Sequence, residues 1–149
     1  MKLKYVPSLL LLIPLLALVF SSCNYFSSTD NTRDIKEGKE IVSSFYADVK
    51  AQNINAVNQL SADTLKKVIG ANGLGKIVIY VNKKLGNLKS YSVVDGRSSR
   101  SEKSDITLYK YTLKAVYDKT SVFEYMGLLK KGQQKPQVIS YDVYSDMLR

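Results

Sequence analysis

From Arg33 to Gln52 the apolar residues Ile35, Ile41, Val42, Phe45, Tyr46 and Val49 fall at helical spacing, which gathers them on one face. Thr32 suits an N-cap, and Asp34 and Glu37 place negative charge near the positive end of the helix dipole. Asn53 breaks this helix, Ala56 to Leu60 makes another turn or two, and Ser61 with Asp63 marks a fresh cap for a short helix reaching Ile69, which Gly70 stops. The segment Lys76 to Leu85 reads two ways. Ile77, Val78, Ile79, Tyr80 and Val81 have the composition of a strand, while Ile77, Val81 and Leu85 share helical spacing. Helix is the better choice, because Gly86 and Asn87 supply a stop and Lys83 and Lys84 sit where the dipole favours cations.

After Gly86 the period changes from three-and-a-half to two. Tyr109, Tyr111, Leu113, Ala115 and Tyr117 line one face of a strand, Phe123, Tyr125 and Leu129 one face of the next, and Ile139, Tyr141 and Val143 one face of a third. On that alternation Glu124 and Asp142 point outwards. Ser98 to Ser104, Asp118 to Thr120 and Lys130 to Pro136 are the intervening turns, and Leu88 to Gly96 completes a set of four antiparallel strands. Helices first and strands afterwards predict an α+β fold with the helices on one face of a four-stranded antiparallel sheet.

This order of elements, with the Leu85-Gly86 step leading through LGNLKSY into the first strand, resembles the NTF2-like, or cystatin-like, cone over residues 33–149. Small bacterial lipoproteins share that layout. The resemblance implies a fold and leaves the activity open, including pairing of two copies through the sheet.

The first thirty residues follow a different pattern. Lys2 and Lys4 precede an apolar run from Leu9 to Phe20, and Ser21 and Ser22 then lead to Cys23, the only cysteine in the chain. The run is shorter than the roughly 20 apolar residues a spanning helix needs, and Pro7 and Pro14 disfavour a continuous helix. A basic end, a short apolar core and small residues before a cleavage point describe an export signal over residues 1–22, cut between Ser22 and Cys23. Phe20 to Cys23 resembles the lipobox of bacterial lipoproteins, with Phe20 where an aliphatic residue is usual. The resemblance implies lipidation of Cys23 and a membrane anchor. Asn24 is not the Asp that holds such proteins at the inner membrane, which points to the outer membrane, facing the periplasm or the surface. Residues 23–32 then form a polar stalk of roughly 30 Å at full extension.

Losing that signal removes two of the 22 basic residues and none of the 13 acidic ones, so the net charge falls from +9 to +7. Outside the inner membrane no nucleic acid is expected, and a basic domain has anionic headgroups, envelope polymers or an acidic protein to meet. Solubility alone is the plainer account of the same charge.

The chain has no histidine, which removes the commonest general base and metal ligand, and its one thiol is assigned to lipid, so neither a Ser-His nor a Cys-His pair nor a zinc site is expected. No cofactor is expected. Gly70 to Lys76 has the spacing of a phosphate loop, but Ile77 stands where a magnesium-binding Ser or Thr belongs and no strand precedes it, so the glycines read as a link between helices. The eleven tyrosines are the remaining candidates. Tyr is favoured in strands and its ring fills core, yet hydroxyls of Tyr46, Tyr80, Tyr109, Tyr111 and Tyr141 converging at the open end of a cone would make a pocket for a small apolar or sugar-like ligand. The expectation is a non-enzymatic, membrane-anchored binding or interaction module. The alternatives are a small-ligand carrier, an isomerase or hydrolase using a carboxylate in the cone, or an immunity or inhibitor protein directed at an acidic target.

Overall fold

Four helices precede four strands in the computed structural model, which describes residues 32–101 and 103–149. The export signal, Cys23 and the stalk up to Asn31 lie outside the described residues. Helix α1 runs Thr32–Lys50, α2 Ile54–Gln59, α3 Asp63–Ile69 and α4 Gly73–Leu85. Strands β1 Leu88–Ser101, β2 Ile106–Tyr117, β3 Ser121–Lys131 and β4 Gln137–Tyr144 form an antiparallel meander in the order β1-β2-β3-β4, closed by a short 3-10 turn at Asp146–Leu148. This is an α+β fold with the helices N-terminal to the sheet.

The helices form where the apolar spacing places them. Val42, Phe45, Tyr46 and Val49 of α1 are buried against the sheet, with the Phe45 ring 5.0 Å from that of Tyr141 and the Tyr46 ring stacked 4.0 Å from that of Tyr91. Each such side chain removed from water contributes about 1.5–3 kcal/mol. Segment 76–85 is helical, and α4 begins three residues earlier than Lys76, so Gly73 and Gly75 belong to its first turn and only Gly70 to Asn72 link it to α3. Gly75 is needed there for close approach: a Cβ would stand 2.5 Å from Ile54 of α2 and 2.8 Å from the Asn58 amide, whose Oδ1 accepts the Gly75 N–H at 2.8 Å.

Three local expectations are corrected. The cap position of α3 is Ala62, not Ser61, because the backbone around Ser61 is engaged elsewhere: Ala62 N–H donates to Val138 O and Val138 N–H to Leu60 O, each at 2.8 Å, joining the helical layer to β4. Strand β1 continues through the serine-rich segment to Ser101, pairing with β2 as far as Ile106, and Ser98 and Ser101 are both buried. Lys130 is part of β3 rather than a loop tip.

The largest correction concerns which face of β3 is inside. Val122, Glu124, Met126 and Leu128 face the helices, while Phe123 and Tyr125 stand on the opposite, outer face. Sequence alternation alone offers both assignments, and a one-residue slip exchanges them. The register with β2 decides, because Glu124 lies opposite Leu113 and Met126 opposite Tyr111, two inward residues. On β4 a bulge spoils the simple period: Gly127 pairs with Ser140 and Leu128 with Val138, so Ile139 is the extra residue. Tyr141 therefore faces inwards, as expected, without Ile139 beside it.

Candidate functional site

Glu124 is wholly buried, contrary to the outward position its neighbours predicted. Three tyrosines from three elements converge on it. The Tyr46 hydroxyl from α1 and the Tyr141 hydroxyl from β4 donate to Oε2, the latter at 2.9 Å, and the Tyr117 hydroxyl from β2 donates to Oε1 at 2.7 Å. Burial raises the Glu124 carboxyl above its ordinary range, opposed by these three hydrogen bonds, which favour the charged form. The tyrosines themselves are pushed far up, Tyr46 and Tyr117 by burial and then by the adjacent carboxylate, so they act as donors. The polar cluster is internally satisfied and sealed from water. Sequence reasoning missed it because Val122, Met126 and Leu128 made a second apolar set on β3, interrupted by the charge itself.

Tyr109 and Tyr111 belong to a different network at the N-terminal end of α1. The Tyr111 hydroxyl donates to Ile35 O at 2.7 Å and the Tyr109 hydroxyl to Glu37 at 3.3 Å. Glu37 also holds the Lys130 ammonium at 2.7 Å across the mouth of a polar cleft of about 560 Å³, in which Arg100 pairs with Asp105 at 3.4 Å. Asp34, Lys36 and Glu40 line the same cleft beside these two pairs. Tyr80 joins neither group: it lies on the exposed side of α4, its hydroxyl donates to Leu148 O at 2.9 Å, and the Lys84 ammonium sits 5.6 Å from its ring. Of the five tyrosines singled out from the sequence, the fold thus brings together Tyr46 with Tyr141, and Tyr109 with Tyr111. Among the described residues no three carboxylates gather to hold a metal ion, and no helix is long and apolar enough to cross a membrane.

The outer face of the sheet is the contrasting surface. Phe123 and Tyr144 stand opposite each other on β3 and β4, and the Tyr125 ring meets that of Tyr144 edge-on at 5.3 Å, yet all three are between 43% and 67% exposed. Beside them a groove of about 360 Å³ crosses the sheet between Leu108, Tyr125 and Ile139, with Lys110 at its rim. The alternation of β3 had placed Phe123 and Tyr125 on the core face, and it assigned no role to Tyr144. The chain matches no family model, no curated protein and no solved structure.

Proposed function

We propose that the protein is an envelope lipoprotein, tethered through a lipid on Cys23 at the outer membrane, whose domain is a non-enzymatic protein-interaction module with an NTF2-like layout. One observation carries this reading: the interior tyrosines are spent on acceptors within the fold, while Phe123, Tyr125 and Tyr144 form an aromatic cluster open to water. Exposed apolar clusters of this kind mark interaction surfaces. Lys110 and Lys114 flank the cluster and have no ion pair among the described residues, so an acidic partner fits the face. Photo-crosslinking residues placed at 123, 125 and 144 of the full protein in intact cells test it, with Lys39 on α1 as control. Discrete heterologous crosslinks confined to the sheet positions are expected. Crosslinks only to a second copy, or equal labelling at position 39, overturn it. The anchor has its own test: Cys23→Ser is expected to release the protein from the membrane fraction, and unchanged fractionation removes that half.

The interior position of Glu124 favours a second reading, proton transfer on a small ligand in the cone. An acid held neutral by an apolar site is what such chemistry uses. A ligand there has to displace a tyrosine hydroxyl from a sealed carboxyl, and ligand retention unaffected by Glu124→Gln removes this reading.

A further inference from the structure

We infer that the groove over Gly127 receives an acidic segment of the partner, seating one large apolar side chain on the glycine floor and a neighbouring carboxylate on Lys110. The inference rests on the outer sheet face being the interaction surface. The groove exists because of two backbone features. Gly127 presents no side chain between Lys110 on β2 and Ser140 on β4, and a Cβ there would lie 2.5 Å from Ser140 Oγ. The bulge on β4 adds Ile139 beside it, so the dip is walled by Leu108, Tyr125 and Ile139. Glycine inside a strand weakens it and marks a place where something approaches the backbone closely. At about 360 Å³ the groove lies near the lower end of the roughly 300–1,000 Å³ typical of binding pockets.

Charge selects among occupants. Arg97 lies opposite Lys110 across β1 and β2 and pairs with Asp95 at 3.1 Å, so two cations sit side by side and one of them has an acid. Further along the same face Lys114 lies opposite Phe123, and Asp142 lies opposite Tyr125. Lys131 lies opposite Ile106 on the same face, and four cations against two acids give the face a positive balance. A second copy would bring that balance against itself, whereas a carboxylate-bearing segment completes it. An extended segment crossing the sheet suits a groove open along one side better than an enclosed small molecule.

The test uses the full mature protein in nanodiscs and a display library of random twelve-residue peptides. Enriched peptides are expected to carry Leu, Phe or Tyr within two positions of Asp or Glu. Lys110→Glu, an exposed change, is expected to weaken a synthetic representative at least tenfold, and salt to weaken the wild-type complex. Gly127→Val with Ser140→Ala fills the floor and removes the contact a Cβ would make. It is expected to bind at least tenfold more weakly while melting at the same or a higher temperature, because Val is a better strand residue than Gly. Opposite movement of binding and stability separates an occupied groove from simple structural damage. Failure to enrich peptides, enriched peptides without carboxylates, or binding indifferent to both variants overturns the inference. Crosslinks from 123, 125 and 144 that persist undiminished in the filled-groove variant sink the groove alone and leave the interaction face standing.

Discussion

The two faces of β3 invert the usual distribution of side chains. Its inner face carries Glu124 between Val122 and Met126, all buried, and its outer face carries Phe123 and Tyr125, both substantially exposed. The inner face resolves its difficulty within the molecule, since three hydroxyls from α1, β2 and β4 meet the two carboxyl oxygens. The outer face leaves its aromatic surface open to water. A strand with two apolar faces does not choose its own orientation. Here the strict alternation of β2 chooses for it, because Leu113 and Tyr111 fix which β3 residues lie beneath the helices. The difference teaches that the polar cluster is met within the fold, whereas the aromatic cluster is left exposed by it.

Glu124→Ala is the harshest way to break this contrast. It leaves three buried hydroxyls without their acceptor, each unsatisfied group costing about 1–3 kcal/mol, so a loss of about 3–5 kcal/mol is expected in urea melts of the mature chain. A loss under about 1 kcal/mol would show that the hydroxyls find other partners and that the inner face is not locked by this carboxyl.

The next effect is a slope. Burial raises Glu124 in the folded state, so the fold keeps a proton that the unfolded chain has given up. Its contribution is complete below the ordinary glutamate range and is lost as pH rises through the elevated folded value, with a slope of up to about 1.4 kcal/mol per pH unit. Tyr46, Tyr117 and Tyr141, the groups that face it, stay protonated throughout that window. Asp118 acts with the opposite sign and in a different window. The hydrogen bond from Lys89 lowers its carboxyl, so its contribution is present above the ordinary range and lost as pH falls below it. Urea midpoints followed from about pH 4 to pH 9 are expected to decline for the wild-type protein and to flatten in Glu124→Gln. A wild-type profile as flat as the variant's refutes the assignment.

Much of the fold is legible in the residues, and the site much less so. The α1 stripe, the Gly86 stop and the β2 alternation each have one dominant period, so helix, boundary and face follow from them. Lys76–Leu85 carried two periods, and its flanking stop and lysines resolved it. On β3 the two periods differ by a single residue, and no flanking signal distinguishes Phe123-Tyr125 from Val122-Met126. Burying aromatics and exposing a carboxylate is the default expectation, and it fails because the hydroxyls that stabilise Glu124 come from residues 46, 117 and 141, distant along the chain. The bulge that frees Ile139 from its period is likewise a property of the paired strands. The groove over Gly127 has only a faint trace in the sequence: a glycine in mid-strand.

Two tyrosines on opposite faces sharpen the comparison at smaller scale. Tyr141→Phe removes one donor to Glu124 and is expected to cost about 1 kcal/mol, whereas Tyr125→Phe, on the outer face, is expected to change nothing measurable. Equal effects would mean that the Glu124 cluster contributes no more than an exposed hydroxyl does.

The smallest expected change is the most informative about function. Phe123→Ser, Tyr125→Ser and Tyr144→Ser each remove an exposed ring whose neighbours are already wet, and surface changes of this kind usually stay within about 0.5 kcal/mol. Serine is a poorer strand residue than either aromatic, and the Tyr125–Tyr144 contact is lost, so the expected shift is slightly downwards rather than zero. Urea midpoints of the three single variants should therefore nearly superimpose on the wild type. A loss of about 2 kcal/mol or more at any of them would assign that ring to the stability of the isolated sheet. The outer face would then be a second core, and its exposure would no longer argue for a partner.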